Sequence, residues 1–419
     1  MRSWTYVTTF AGVTMLSIMA LADGYRNPPE GAAALGRGGA RYVFMDDLTV
    51  VTHNPANLAE VDKAAVTPSV TFTYGPVDYT APDGTTESTD TSVGMIPSFY
   101  GALPIGDGRC VLGLGINSPY GQSTEWDAGG LFTGLAPYYA QLTTVNANPA
   151  LGFRLTDNLW VGAGLDLLYG KLEFRQAMPG MPLPDGSMAP GSRLLFDADG
   201  TAVGGNMGVT LCLGESQRVA LSYRTPMTLN VNGDFEMQNP PPPAFAPPGF
   251  RPTADFSTTL EFPAIVALGY GAVLGAVRVE ADVEWVQHSR NDMLRLDLGM
   301  LTPVLAAFGG SADLPQNWDD TWTVALAADW ACCEHWVLRG GWTWLPSPVP
   351  DETFMPVLAE DDRNIFGLGA GYRNGRHAVD AAYSYSFQKD RKLAIGESPV
   401  PGTYETESHL AALTYTFEI

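Results

Sequence analysis

Alternation of apolar and polar residues with a period of two is the feature that most constrains this chain. The pattern recurs in segments 69–74, 161–169, 277–285, 336–344, 379–388 and 413–419. In each segment one face is apolar and rich in aromatic residues and the other is polar or charged, as in a β-strand. Beyond residue 22 no run of about 18 apolar residues occurs, which disfavours a transmembrane helix. The sequence therefore predicts an all-β protein.

Short and long connections alternate along the chain, and this distinguishes a barrel from a soluble sandwich. The short turns are predicted at 105–108, 156–158, 214–217, 273–276, 331–335 and 373–376. Long polar or Pro/Gly-rich loops are predicted at 76–91, 120–139, 176–200, 231–255, 296–318, 346–363 and 389–404. Tight turns on one rim and long loops on the other are typical of an outer-membrane barrel. We therefore expect a transmembrane antiparallel β-barrel of about 14 strands.

The N-terminus has the parts of a secretory signal peptide. Arg2 precedes an apolar stretch at 6–21 that closes on Ala20-Leu21-Ala22. A membrane anchor is the alternative, but the stretch is short and no basic cluster follows it. We expect cleavage before Asp23, a signal peptide at 1–22, an N-terminal hatch at 23–63 and a barrel at 64–419.

Composition and charge agree with a barrel that faces lipid. The chain is 45% hydrophobic and only 16% charged, which suits a lipid-facing surface. Charged residues such as Arg278, Glu280 and Glu284 share the polar parity of their strand and are tolerable only in a wet lumen. The formal net charge of −22 argues against nucleic acid as a partner, because phosphate contacts need a basic face.

A glycine-rich segment at 36–56, before the first strand, is neither export signal nor barrel wall. A barrel of about fourteen strands is wider than the eight that side chains alone can fill. We therefore predict that this segment forms a plug inside the lumen. Asn54 is expected to cap it and Pro55 to fix its backbone.

Catalytic and metal-binding motifs are weak. The five histidines are scattered and no GxSxG occurs, so we expect no enzyme, no cofactor and no metal. The glycine run at 367–371 is similar to a phosphate loop but lies on an alternating strand without a following helix. Cys110, Cys212, Cys332 and Cys333 allow three pairings, among which the sequence does not choose.

The ordered motifs resemble the FadL family of outer-membrane transporters for hydrophobic substrates. Gly36-Arg37, Asp46-Asp47 and Asn54-Pro55-Ala56 are similar to the hatch of that family. Further matches are NSPYGQSTEW at 117–126, the D-x-x-W step at 282–285, and WDDTW, WVLRGGW, SPVPD and EDDR within 318–363. The resemblance covers nearly the whole chain after residue 22.

The resemblance implies passive uptake of a fatty acid, an aromatic hydrocarbon or a related lipophile. Cargo would be caught by the outer loops and would leave sideways through a gap where the third strand kinks. By position, Asn117, Pro119 and Gly121 would form the kink, because Pro119 lacks a ladder donor and Gly121 permits an irregular backbone. The alternative is that strand three simply ends in a turn. Outer-membrane lipid and lipopolysaccharide are the expected surroundings of a monomer.

A fatty acid needs an apolar tube and a cation for its carboxylate. Leu131, Phe132 and Leu135 could form an outer groove, with ordinary loop packing as the alternative. Lys171 or Arg175 could meet the carboxylate, or could simply be basic side chains among lumenal acids. A general porin for water-soluble solutes, or an adhesin or phage receptor that uses only the loops, are the rival functions.

Overall fold

A computed structural model describes residues 23–106, 108–183, 186–243, 246, 250–299 and 313–419. The expected signal peptide at 1–22 lies outside the described residues. Among the described residues no helix is long and apolar enough to cross a membrane.

Within the described residues, fourteen strands form the barrel wall, and each is antiparallel to its neighbours in the chain. They are β1 (Ala65–Tyr74), β2 (Gly94–Ile105), β3 (Cys110–Asn117 and Gly121–Glu125), β4 (Tyr139–Arg154), β5 (Leu159–Ala177), β6 (Arg193–Leu213), β7 (Gln217–Arg224 and Met227–Gln238), β8 (Thr253–Phe262 and Ile265–Leu274), β9 (Val277–Val286), β10 (Thr321–Ala331), β11 (Trp336–Leu345), β12 (Arg363–Asn374), β13 (His377–Gln388) and β14 (Gly402–Glu418). Short outer strands lie at Val77–Thr80, Thr86–Ser88, Met293–Arg295, Asp313–Pro315 and Arg391–Leu393.

The sheet closes on itself. The first strand pairs with β2 on one side and with the last strand on the other, with Ala65 opposite Glu418 and Tyr74 opposite His409. Closure pairs the first strand with the last, so the sheet has no free outer edge of the kind that an open sheet would expose to lipid. The predicted antiparallel barrel of fourteen strands is confirmed.

Side-chain direction follows the predicted alternation. On β1, Phe72 is 41% exposed and points outward, whereas its neighbour Thr71 is 5% exposed and points inward. On β11, the tryptophans Trp336 and Trp344 are exposed while Arg339 between them is buried. The apolar face therefore lies outside and the polar face inside, as the sequence indicates.

All six predicted short turns connect consecutive strands, but several of the long loops are shorter than predicted, two of them by more than five residues. Strand β6 already begins at Arg193, β7 continues to Gln238 and β8 begins at Thr253. Phe196 packs its ring 5.0 Å from Phe235 and 5.1 Å from Phe256, one residue from each strand. This aromatic contact stabilises the ladder beyond the length needed to cross the bilayer.

Residues 23–63, called here the N-terminal segment, fold into three short helices. These are α1 (Ala32–Gly36), α2 (Val50–His53) and a 3₁₀-helix (Pro55–Glu60). Nearly all residues from 30 to 59 are buried, against the inward faces of the strands. The assignment of 23–63 as a separate hatch domain stays a prediction.

Glycines at inward positions let the N-terminal segment approach the strand backbone. A Cβ on Gly341 would lie 1.9 Å from the carbonyl oxygen of Arg37, and one on Gly367 would lie 2.2 Å from that of Leu35. No larger residue fits at either position without displacing the segment. Gly367 belongs to the glycine run at 367–371, which lies on a strand, as the sequence indicates.

The four cysteines are free thiols in the structure. Cys332 and Cys333 lie in the turn between β10 and β11 with their Sγ atoms 3.9 Å apart. Cys212 is buried near the end of β6.

Candidate functional site

The third strand is interrupted at residues 118–120. Its first part pairs with β2 from Cys110 opposite Ile105 up to Ile116 opposite Phe99. Its second part, Gly121–Glu125, pairs with β4 alone, and residues 94–98 of β2 pair with β1 alone among the described strands. Pro119 has no N–H to donate to a ladder. The wall between β2 and β3 therefore lacks a backbone ladder above Asn117.

The N-terminal segment bonds to this interruption. The backbone N–H of Asn27 donates to the carbonyl of Pro119 at 3.0 Å, and the N–H of Gly121 donates to the carbonyl of Tyr25 at 2.9 Å. The Asn117 amide donates to Glu30 Oε1 at 2.6 Å. The backbone groups that β2 leaves unpaired are thus partly satisfied from inside the barrel.

A cavity of about 130 Å³ lies between the N-terminal segment and the wall. Pro119 and Tyr120 of the interruption contribute to its lining. Most charged groups around it form ion pairs: Arg26 with Asp23 and with Glu284 at 2.9 Å, Arg41 with Glu284 at 2.5 Å, and Arg224 with Asp166 at 2.8 Å. The cavity therefore touches the interrupted strand and is bordered by a largely neutralised polar network.

A second cavity, of about 40 Å³, is mainly apolar. Its lining includes Leu142, Leu172, Phe256, Leu260 and Leu294. An apolar lining suits a hydrocarbon guest, because binding removes the apolar surfaces of both the guest and the cavity from water.

An aromatic cluster connects the long loops above these cavities. Phe132 lies 4.8 Å from Trp126 and 4.9 Å from Tyr79, measured between ring centroids. Tyr404 joins the cluster at 4.7 Å from Tyr79 and 4.6 Å from Phe354. The rings come from four different loop or strand segments, which only the folded barrel brings together.

The three predicted groove residues have different environments. Phe132 is 1% exposed at the centre of the aromatic cluster, and Leu131 is half-buried against it. Leu135 is 63% exposed. The predicted groove role therefore stays a prediction, with Phe132 in the packed cluster and Leu135 on its surface.

Lys171 and Arg175 do not line either cavity. They share the parity of the exposed residues Leu167 and Tyr169 on β5, so their side chains point away from the lumen. Both contact Glu173, Arg175 at 3.7 Å, and the Arg175 guanidinium stacks 4.6 Å from the ring of Tyr139. The expectation that one of these cations meets the carboxylate of a fatty acid stays a prediction. The outward parity of β5 places both side chains away from the two cavities.

Of the predicted hatch residues, Gly36, Arg37 and Asp46 contact the inner face of the barrel, and Asp47 bonds within the N-terminal segment. Arg37 Nη2 lies 2.5 Å from Glu280 Oε2. Asp46 Oδ2 lies 2.6 Å from Arg278 and 3.1 Å from Arg339. Asp47 accepts the Thr49 N–H at 3.0 Å, and burial raises the pKa of its carboxyl. A Cβ on Gly36 would lie 2.9 Å from the Gly369 backbone.

Asn54, Pro55 and Ala56 fix the end of the N-terminal segment. Asn54 Oδ1 accepts the Ala56 N–H at 3.2 Å, and its amide donates to Thr210 Oγ1 on β6 at 3.0 Å. Pro55 begins the 3₁₀-helix. The local geometry matches the expected cap, because a side-chain oxygen satisfies a helix N–H and proline fixes φ there.

Sequence reasoning missed Arg363. It is the last residue of the EDDR motif, opens β12, and is buried beside the main cavity. Its parity is that of the inward Gly367 and Gly369, and this is the signal that could have found it.

These features define an outer-membrane type of β-barrel protein: a closed barrel, an apolar exterior and long loops on one rim. Residues 13–419 match the model of one family, described as outer membrane protein transport protein (OMPP1/FadL/TodX). The chain belongs to this family.

Individual relatives agree at low identity. The chain is 23% identical to the long-chain fatty acid transport protein of Escherichia coli O6:H1, over 94% of each chain. Its fold is similar to that of a Pseudomonas aeruginosa FadL homologue, with TM-score 0.81, 21% identity and coverage of 94% of this chain and 99% of the other. The Ralstonia pickettii toluene transporter TbuX gives a TM-score of 0.69 at 16% identity, covering 95% and 99%.

Proposed function

We propose that this protein is a passive outer-membrane channel for hydrophobic molecules, with fatty acids and aromatic hydrocarbons as candidate cargo. Two similar proteins bear these cargoes in their names, a long-chain fatty acid transport protein and a toluene transporter. We propose transport and no catalysis. We also propose that the protein is a monomer in contact with outer-membrane lipid and lipopolysaccharide.

Capture begins at the long loops, which the buried aromatic cluster around Phe132 holds together. The rings act by packing the loops against one another, and the loops receive the lipophile that arrives from water. The apolar cavity lined by Leu142 and Leu260 is the next surface for the hydrocarbon part. Each transfer keeps apolar surface away from water, so no energy source is needed.

The N-terminal segment acts as a plug, and cargo leaves sideways. Supporting this, Arg37, Arg41 and Asp46 each form an ion pair with a residue of β9. The observation that carries the proposal is the interruption of β3, because Pro119 and Tyr120 border both the main cavity and the part of the wall that lacks a ladder. A hydrophobic molecule that passes this gap enters the bilayer directly.

Uptake of radiolabelled oleate and toluene by cells with and without the protein tests the function. We expect uptake of at least one compound to depend on the protein. Equal uptake of both compounds in the two strains would reject the proposal. Conductance in planar bilayers tests the porin alternative: a plugged channel conducts ions poorly, whereas steady large conductance would favour a porin.

The sideways exit has its own test at Ser98, which belongs to the stretch of β2 that is unpaired toward β3 and adjoins the last paired residue, Phe99. In a variant whose four cysteines are replaced by serine, Ser98→Cys is labelled with a bulky maleimide or with a small methylthio group. We expect only the bulky label to abolish uptake. Equal uptake with both labels would argue against an exit at this gap.

A further inference from the structure

Two adjacent cysteines, Cys332 and Cys333, occupy the tight turn between β10 and β11. Their Sγ atoms lie 3.9 Å apart, in contact but not bonded. Cys333 is exposed, whereas Cys332 is half-buried and its Sγ lies 3.6 Å from the carbonyl oxygen of Trp336. The turn therefore presents two neighbouring thiols, one open to solvent and one partly covered.

The turn holds these thiols on the aqueous side of the barrel rim. Trp330 and Trp336 flank it and are 51% and 45% exposed, as rings at the lipid–water boundary are. The ladder between β10 and β11 ends with Ala331 opposite Val337, so residues 332–335 lie beyond it. Short turns of outer-membrane barrels face the periplasm, an oxidising compartment in which disulfides form.

Hydrogen bonds to the neighbouring turns fix both ends of this turn. The backbone N–H of Ala331 donates to the carbonyl of Ala276, and the N–H of Arg373 donates to the carbonyl of His335, both at 2.9 Å. Within the turn, the bond from the Trp336 N–H to the Cys333 carbonyl is long, at 3.4 Å. The middle of the turn can therefore change shape at the loss of a weak bond while its ends stay in place.

The strand order excludes the other cysteine pairings. Cys110 opens β3 and Cys212 lies near the end of β6, so two strands separate them. Neighbouring strands lie about 4.8 Å apart, which puts these two cysteines about 14 Å apart along the wall. A disulfide needs Cα atoms within about 7 Å of each other. The turn at 332–333 is four or more strand spacings from either of them, so Cys332 and Cys333 can pair only with each other.

A disulfide between adjacent residues is strained. Consecutive Cα atoms lie about 3.8 Å apart, whereas those of ordinary disulfides lie about 4.4–6.8 Å apart. Strained and exposed disulfides are reduced more easily than structural ones. A bond between Cys332 and Cys333 should therefore form and break again, unlike a permanent cross-link.

We propose that Cys332 and Cys333 are a redox-active dithiol, which disulfide compounds in the periplasm convert reversibly into an intrachain disulfide. The exposed Cys333 thiolate attacks one sulfur of the compound, forms a mixed disulfide and releases the first thiolate. The Cys332 thiolate then attacks Cys333 Sγ, closes the intrachain bond and releases the second thiolate. The two cysteines lose two electrons and two protons, and the disulfide compound becomes two thiols.

The test follows peptide masses in the full-length protein in lipid nanodiscs, which is first reduced and then treated with oxidised glutathione. In the wild-type protein we expect the peptide with residues 332–333 to lose the mass of two hydrogen atoms and to retain no glutathione. Cys332→Ser should retain one glutathione on Cys333, because no second thiol is there to displace it. An excess of reduced glutathione should return the wild-type protein to the dithiol.

Cys212→Ser is the matched control, since it removes a buried thiol far from the turn. It should show the same mass changes at 332–333 as the wild-type protein. A wild-type protein that retains glutathione as Cys332→Ser does, or that stays a dithiol, would overturn the inference. A bond that reduced glutathione leaves intact would overturn its reversibility. These outcomes leave the transport function standing, because residues 332–335, all of them described, line neither cavity.

Discussion

Glu280 on β9 forms an ion pair with Arg37 of the N-terminal segment, which lies 243 residues earlier in the sequence. Arg37 Nη2 lies 2.5 Å from Glu280 Oε2, and Arg37 Nε lies 3.2 Å from Asp329 on β10. The same Glu280 carboxylate also accepts the backbone N–H groups of Tyr42, Val43 and Phe44 at 2.8–3.0 Å. One side chain of the wall thus fixes both the charge and the backbone path of the segment.

Replacing Glu280 by Gln should loosen the N-terminal segment. Removing one partner of a buried ion pair costs about 3–5 kcal/mol, because the other charge is left uncompensated. We expect faster hydrogen exchange at the amides of residues 37–44 and higher ion conductance. The control is Glu418→Gln, which breaks the exposed pair with Lys63 at 2.8 Å and should cost at most about 1 kcal/mol. Equal effects of the two substitutions would contradict this prediction.

Adjacent glycines on β11 provide a steric test. In Gly341→Ala the new Cβ would lie 1.9 Å from the Arg37 carbonyl oxygen, whereas in Gly340→Ala it would find only an ordinary contact at 3.7 Å. We expect Gly341→Ala to displace the N-terminal segment at a cost of about 1–3 kcal/mol, seen as protease cleavage within residues 36–46. Gly340→Ala should resist the protease like the wild-type protein. Protection of both variants would show that the segment does not need this close approach.

Phe132 and Leu135 lie in the same loop, but Phe132 is buried and Leu135 is exposed. Substituting each in turn distinguishes the effect of loop packing from that of the loop surface. Phe132→Ala removes a buried ring from the aromatic cluster and should destabilise the loop by about 3–5 kcal/mol. Leu135→Ala alters a residue that is already exposed. We expect a rise in the concentration of oleate for half-maximal uptake with Phe132→Ala alone. A similar rise with Leu135→Ala would instead support the exposed leucine as part of the groove.

Acid should loosen the N-terminal segment through His53. Burial, with the nearby charge of Arg41, holds the pKa of His53 well below its usual range. The unfolded segment takes up a proton near the ordinary value of about 6.5, so stability is complete above that pH and falls as the pH drops below it. After correction for the intrinsic amide exchange rate, which itself falls toward acid in this range, the protection of the α2 amides should therefore decrease from about pH 7.5 to about pH 5.5.

His53→Gln should reduce this loss of protection, and the outward-facing His409→Gln should not. Both substitutions replace an imidazole by a polar side chain of comparable reach. An acid response that persists unchanged in His53→Gln would assign it to the buried carboxylates instead.

Cys333 reports the orientation of the barrel. It is exposed in the short turn after β10, whereas Cys212 is buried. Short turns of outer-membrane barrels lie on the periplasmic side. After mild reduction, we expect a membrane-impermeant maleimide to label Cys333 in permeabilised cells and not in intact cells. Labelling in intact cells would reverse the orientation.

Local features of the sequence were sufficient for the strands and short turns. Phe72 beside Thr71, or Trp344 beside Thr343, already shows which residue faces lipid, because successive side chains of a strand point to opposite sides. The short turns follow from glycine and polar residues between two such patterns. The ends of β6 and β7 were harder to predict, since contacts among Phe196, Phe235 and Phe256 extend them beyond the bilayer.

The sequence by itself determined a closed barrel whose strands alternate apolar and polar residues, the family of the chain and the residues that make up the N-terminal segment. Only the tertiary structure decided that Arg37 meets Glu280, that Lys171 and Arg175 face away from the cavities, and that Arg363 is buried beside the main cavity. Alternation is a property of neighbouring residues and can be read locally. The surroundings of a buried side chain depend on residues hundreds of positions apart, which become neighbours only when the barrel closes.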